Sequence, residues 1–187
     1  FYYNIAYSFP HVFGNAFKEK YDKIKWKYNQ KYWEAWINGT TGFPLQDAGM
    51  RELNHTGFMH NRCRMITTMF LTKDLLIDWK LGEKYFAQKL VDYDPSQNNG
   101  GHQWSASTGT DSQPYFRIFN PWTQQKKYDK DCEYIKKWIP ELKELPPKVI
   151  HNWFKYYEEY KDLVNYPEPI VDHSEMRERT LDAYKKI

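Results

Sequence analysis

The chain has 187 residues, with 27 Lys and Arg against 24 Asp and Glu and a net charge of only +3; that is long enough for one domain with a real core and too nearly neutral to indicate a nucleic-acid binder by charge alone. A mean hydropathy of −0.90 and the lack of any apolar run near ~18 residues exclude a membrane span. No signal-peptide pattern is visible and the two cysteines, Cys63 and Cys132, provide no disulfide framework, so a soluble, intracellular type of protein is expected.

The first predicted helix covers Tyr32 to Ile37 and stops at Gly39. Pro44 suits the first turn of a second, which runs to Thr56 with Gly57 as terminator. His60 to Trp79 reads as one helix of roughly 30 Å. It carries Met65, Ile66, Met69, Phe70, Leu71, Leu75, Leu76, Ile77 and Trp79 on nearly every face, the pattern of a buried central helix. Gly82 is expected to end it, and Glu83 to Leu90 to form a short helix. The stretch Asn98 to Asp111 is polar and glycine-containing, and is not expected to form an ordinary helix core. Prolines 140, 146, 147, 167 and 169 mark loops. Asp172 with Glu175 three residues on has the form of a capping box opening a last helix that ends near Lys186. No period-two alternation supports a strand, and no repeat or low-complexity segment breaks the chain. The expected fold class is all-α, as a single domain over 1–187.

The residues suited to chemistry concentrate in the middle. Lysine outnumbers arginine 21 to 6, and Arg51, Arg62, Arg64 and Arg117 fall among the unusual motifs. A guanidinium holds a carboxylate or a phosphate at two points, as lysine cannot; core ion pairs and ligand contacts both fit. Asn61 and Met65, four residues apart, share a helix face, with Arg62 adjacent and Arg64 turned aside. Polar groups at the start of an apolar helix need partners if buried, and a helix N-terminus favours anions; an exposed first turn is the alternative. Asp92-Tyr93-Asp94-Pro95-Ser96-Gln97-Asn98 suits a surface turn or a binding site, but lacks the oxygen spacing and final glutamate of a calcium loop. Trp104 is either core or a ring waiting for something to cover its face. Aromatic residues make up 19% of the chain, most of them expected in the core with polar tips bonded. The six histidines are scattered; no metal-ligand spacing and no Ser-His-Asp or Cys-His arrangement is seen.

Three blocks, Met59-His60-Asn61-Arg62-Cys63-Arg64-Met65, Asn98-Asn99-Gly100-Gly101-His102-Gln103-Trp104-Ser105-Ala106-Ser107-Thr108-Gly109-Thr110-Asp111 and Arg117-Ile118-Phe119-Asn120-Pro121, together resemble the C-terminal flavin-binding domain of DNA photolyases and cryptochromes. The likeness runs essentially from end to end. His60-Asn61-Arg62 is similar to the class I photolyases that repair cyclobutane pyrimidine dimers, and differs from the two-histidine pattern of six-four photolyases. The resemblance implies a carbon–carbon lyase that splits such dimers in DNA with light, through an electron from reduced, anionic FAD. It implies cofactor contacts at Asn61, Arg64, Asp92, Tyr93, Asp94 and Asn98. Asp92 would accept from the ring edge and pair with Arg64, Asp94 would fix the ribityl or ring side, and the Asn98 amide would lie near the redox-active nitrogen. Asparagine at position 98, where many cryptochromes have aspartate or cysteine, favours repair over signalling. DNA contacts are implied at Asn61, Arg62, Trp104, Arg117 and Gln124. Of these, Arg62 would reach a phosphate and Trp104 would stack on the extruded dimer, with Met65 packed against the lesion. Asn61, Met65 and Trp104 would thus be the residues at the reacting centre.

Two departures from the family pattern set further expectations. The family reduces its flavin through three tryptophans in series; Trp26 and Trp79 match the outer and middle positions, but the inner one is His102. Imidazole is a far poorer electron donor than indole, so photoreduction is expected to be impaired or diverted through Tyr93 or Tyr85. The family's upstream helices, its Ser/Thr loop for the FAD phosphates and its antenna-pigment domain are not found in these residues. The expectation is a half-site completed by an N-terminal portion, in the same longer protein or on a separate chain. A cryptochrome-like flavin photoreceptor and a non-catalytic remnant are the alternative readings. Neither a membrane nor a metal is expected as a partner.

Overall fold

Every regular element of the computed structural model, which describes residues 1–187, is helical. The α-helices are α1 (Tyr2–Ser8), α2 (Gln30–Asn38), α3 (Pro44–Thr56), α4 (Asn61–Met69), α5 (Trp79–Lys89), α6 (Pro95–Ala106), α7 (Pro121–Tyr128), α8 (Glu133–Trp138), α9 (Pro147–Ile150), α10 (Trp153–Tyr160) and α11 (His173–Lys185). Several ends fall where local chemistry places them. Asn29 caps α2 by accepting from the Tyr32 N–H, and Gly39 closes it at φ 63. Pro44 opens α3 and Gly57 ends it at φ 73. The Asp172 carboxylate accepts from the Glu175 N–H to start α11. Pro140 and Pro147, expected in loops, instead open a short 3₁₀ turn and α9, since proline's missing N–H costs nothing in a first turn.

The single helix expected from His60 to Trp79 does not form. α4 gives way to a π-helical turn over Phe70–Asp74, Leu76 turns to φ 56, and Asp78 then caps α5 by accepting from the Lys80 N–H. The apolar count that suggested one helix overlooked Lys73 and Asp74, which are both buried and must find partners outside their own helix. The wide turn turns them toward α11. The Asp74 carboxylate meets His173 Nδ1, and Arg179 and Thr180 donate to the carbonyls of Asp74 and Lys73. Lys73 Nζ donates to Ser107 Oγ at 3.0 Å and lies 3.8 Å above the Tyr184 ring. Gly82 does not end a helix either; it lies inside α5, where a Cβ would come within 2.6 Å of the Leu71 side chain and 3.3 Å of the His102 ring. It permits close approach between α5 and its neighbours.

The second correction concerns α6, a helix built through the polar, glycine-containing stretch. Pro95 takes its first turn and Asp94 accepts from the Gln97 N–H at 2.8 Å. Glycines in a helix cost ~0.5–1 kcal/mol each relative to alanine, and here contacts across the helix offset that. A Cβ on Gly100 would come within 2.3 Å of the Tyr2 ring of α1. The polar side chains of α6 are buried by bonding the N-terminal segment: Asn99 and Gln103 both donate to the Val12 carbonyl at 2.9 Å, and Gln103 accepts from the Phe17 N–H at 2.9 Å. Trp104 therefore stands on a helix, not in a loop.

The apolar core has two large clusters, both drawing on α3, and a small third one at Ala16, Tyr21, Ile24 and Tyr184. One large cluster packs Trp36, Phe43, Met50, Leu53, Phe70, Leu71 and Phe86; the other packs Leu45, Ile135, Ile139, Leu142, Ile150 and Trp153. Cys63 and Cys132 are both buried free thiols. No helix is long and apolar enough to cross a membrane.

Candidate functional site

α4, α5 and α6 meet around an open cavity of about 300 Å³, with Tyr2 of α1 on its rim. Asn61, Arg64 and Met65 reach it from the start of α4, Asp92 and Asp94 from the segment before α6, and Asn98, His102 and Trp104 from α6 itself. The shared face expected for Asn61 and Met65 exists, with Asn61 Nδ2 3.8 Å from Met65 Sδ.

Arg64 is fully oriented. Its Nε donates to the Met59 carbonyl at 2.7 Å, and its Nη2 straddles both Asp92 oxygens at 3.0 and 2.8 Å. The pair is partly solvent-exposed and contributes little to stability; its effect is to aim the guanidinium, the one permanent cation in the cavity wall. Asp94 spends one oxygen on the α6 cap. Asn98 Nδ2 donates to both the backbone carbonyl and the carboxylate of Glu83, each at 2.9 Å. That commits the amide nitrogen to the protein and leaves Oδ1 as the free acceptor. Burial pushes the Glu83 carboxyl up, and the Asn98 bond opposes the shift.

His102 is 2% exposed. Its Nδ1 lies 2.8 Å from the Asn98 carbonyl, its Nε2 has no partner, and its ring meets Phe86 edge-on at 4.9 Å. Burial drives its pKa down to about 4, against the pull of the Asn98 carbonyl. At neutral pH the imidazole is uncharged and donates through Nδ1 to a carbonyl that can only accept.

The other expected residues lie apart from this wall. Tyr93 is 40% exposed and does not line the cavity, because it sits in the exposed turn between α5 and the α6 cap. Arg62 stacks over Tyr128 at 4.4 Å. Arg117 is exposed, with one long contact of 3.5 Å to Gln113, and Gln124 keeps a buried, unpartnered Oε1. Trp79 is buried in the core, and Trp26 is half-buried against Tyr184. Sequence reasoning missed Tyr2, Thr68, Phe86, Leu90 and Gln97 in the wall, and Glu83 behind Asn98. Thr68 joins α4 to α6 through Ser105 at 2.7 Å. None of these residue types marks a site by itself; the glycine at position 100, opposite Tyr2, was the one local hint.

A flat heterocycle fits this wall. Met65, Phe86, Leu90 and Trp104 supply apolar surface, while the free Asn98 acceptor, the spare Asp94 oxygen and Arg64 supply polar contacts for a ring edge. No group of three or more His, Cys, Asp or Glu side chains is placed to hold a metal ion.

Residues 1–186 match the family described as the FAD binding domain of DNA photolyase. The chain is 54% identical to the deoxyribodipyrimidine photo-lyase of Escherichia coli over 88% of its own length and 35% of that protein's. It is 50% identical to the one of Alkalihalophilus pseudofirmus, over 99% of its length and 40% of that protein's. In structure it matches an archaeal photolyase from Sulfolobus tokodaii, solved with two FAD molecules, with a TM-score of 0.92 and 48% identity over 100% of this chain and 42% of that one. A Synechocystis cryptochrome matches with a TM-score of 0.89 and 36% identity, over 97% of this chain and 39% of that one. The chain thus spans well under half the length of these relatives, and within that span the agreement in sequence and fold is continuous: it belongs to the photolyase FAD-binding domain family.

Proposed function

We propose that this chain forms the flavin-ring and lesion-facing part of a light-dependent enzyme that repairs cyclobutane pyrimidine dimers in DNA, with FAD as cofactor. The observation that carries this reading is the convergence on one cavity of two sets of residues. Arg64 with Asp92, Asp94 and Asn98 suits a flavin ring; Asn61, Met65 and Trp104 suit an extruded pair of bases. When bound, reduced FAD supplies a light-excited electron that opens the cyclobutane ring and then returns.

The chain's own residues bind, orient and exclude water. Arg64, held by Met59 and Asp92, presents its charge to an electron-rich ring without rearranging. Asn98 offers an acceptor to a ring N–H, because Glu83 takes up its amide nitrogen. Met65, Phe86 and Leu90 keep the ring's apolar surface dry. Trp104 offers a face to an extruded base, a contact worth ~1–3 kcal/mol. Arg62 and Arg117 sit outside the cavity, where a DNA backbone would pass, and add salt-sensitive affinity. The residues named here account for the ring side of FAD; its phosphates and any antenna pigment are not assigned to them. A photoreceptor role is less favoured: the cryptochrome is 36% identical, and the photolyases reach 54%.

The test is to co-express the chain with the N-terminal portion of a related photolyase, then measure bound flavin by absorbance and dimer removal under blue light. Flavin and light-dependent repair are expected, with repair lost in Asn61→Ala and Trp104→Ala while flavin is retained. Absence of flavin from the paired preparation would overturn the proposal.

A further inference from the structure

From Phe86, on the cavity wall, a column of aromatic rings runs toward the protein surface. Phe86 stacks on Trp36 at 6.0 Å with 13° between the planes. Trp36 stacks on Trp33 at 5.5 Å and 24°. Tyr85 closes the side of the column, meeting Trp33 edge-on at 6.0 Å and Trp36 at 5.9 Å. Trp36 is completely buried, whereas Trp33 is half-buried at the protein surface.

We propose that light-driven reduction of an oxidised flavin in this cavity draws its electron from Trp36, across Phe86, with Trp33 as the surface terminus, instead of through the ring at position 102. The proposal rests on the flavin reading of the cavity.

The chemistry of each ring sets the direction. Indole is the most readily oxidised ring in the column, so Trp36 and Trp33 are stopping points for the missing electron, while Phe86 only bridges the gap. The electron passes from Trp36 to the photoexcited flavin; Trp36 is left oxidised and recovers an electron from Trp33. Trp36 cannot lose its indole proton to water, because its Nε1–H donates to the Thr67 carbonyl at 3.0 Å in the core. The positive charge on it therefore stays mobile. A charge is far better solvated at the half-exposed end than in the core, which favours moving it out to Trp33. Tyr85 does not trap it on the way: its hydroxyl donates to the Asn54 amide oxygen at 2.5 Å, and an amide is not a base that could take the proton. At the surface Trp33 is restored by a soluble thiolate, one electron per thiolate, and two of the resulting sulfur radicals combine to a disulfide. The imidazole of His102 meets the same Phe86 but is much harder to oxidise, so it leaves this column the better-equipped route.

The test uses the flavin-loaded complex, flash spectroscopy of the oxidised indole, and the yield of flavin reduction under steady blue light with a thiol. Trp33→Phe is expected to keep the first, fast electron departure but to lower the long-lived yield about tenfold, equivalent to ~1.4 kcal/mol in rate competition, because the charge then recombines from Trp36. Trp36→Phe is expected to remove the fast phase as well, and Trp33→Tyr to restore part of the yield. Trp138→Phe, at a ring packed against the other large core cluster, serves as the control. If Trp36→Phe fails to fold, for lack of a partner on the Thr67 carbonyl, the two variants at the half-exposed position 33 decide the matter alone. An undiminished yield in Trp33→Phe would overturn the proposal, and a loss in Trp79→Phe would place the route at that ring instead. A complex that binds no flavin would instead remove the reading on which it rests.

Discussion

His102 occupies a position where a buried base costs stability. Its unfolded imidazole takes a proton below about 6.5, whereas the folded one resists protonation down to about 4. Between those values the unfolded state binds more protons, so the contribution of His102 is fully present above about 6.5 and is lost as pH falls. The whole shift corresponds to ~3 kcal/mol. His102→Phe is expected to flatten that part of the pH dependence, seen as a urea midpoint that changes less between pH 7 and 5 than in the parent. Parallel declines would show that His102 does not titrate in this way. Asp47 acts in the opposite sense. Burial pushes its carboxyl up to about 6 despite bonds from Thr41 and Tyr166, so its contribution is present below the usual carboxylate range and is lost as pH rises through 6. Comparing single variants separates the two. Among residues, Asn61, Met65, Arg64 and Asp92 were legible because spacing or family likeness pairs them. The Glu83–Asn98 bond was not, since fifteen residues separate the partners and nothing local links them.

At the scale of elements, α6 gives the sharpest contrast. Gly100 and Gly101 are neighbours in one helix, yet a Cβ on the first would strike the Tyr2 ring at 2.3 Å while one on the second meets nothing within 4 Å. Gly101→Ala is expected to raise stability by ~0.5–1 kcal/mol, the ordinary helix gain. It would also weaken flavin retention, because position 101 lines the cavity. Gly100→Ala is expected to lose stability by undocking α1. Thermal melts with and without flavin check both, and equal effects at the two positions would refute this account of the packing. Helices with strong local signals, α2, α3 and α11, were legible from caps and terminators. The break within residues 70–78 and the helix through residues 98–101 were not, because charged residues bonded by α11 and glycines matched to α1 are decisions of packing.

For the whole molecule, the first segment, whose Tyr2 lines the cavity, carries exposed rings: Phe1 and Tyr3 are each 68% exposed and Tyr7 85%. Rings grouped in one segment favour association, so the chain expressed by itself is expected to self-associate with rising concentration. Co-expression with an N-terminal photolyase portion should suppress this, as sedimentation velocity would report. Once paired, the complex should bind dimer-containing DNA with separable contributions. Arg117→Ala is expected to reduce the slope of log affinity against log salt by about 1. Trp104→Ala should cost ~1–3 kcal/mol of binding to the lesion without altering that slope. Binding titrations at several salt concentrations distinguish these outcomes, and a changed slope in Trp104→Ala would place that ring on the backbone instead.

The sequence by itself determined the helical class, the ends of the strongly capped helices and the family, because caps, terminators and long shared blocks are local information. Tertiary structure alone decided which of the singled-out residues share a cavity. It put Tyr93, Arg62, Arg117 and Gln124 outside the wall that holds Arg64, Asn98 and Trp104. It also turned Asn98 so that its oxygen is free and built an aromatic column from Trp33 to Phe86. Each of these depends on partners far apart in the chain, whose meeting is set by how helices pack and not by the residues at either position.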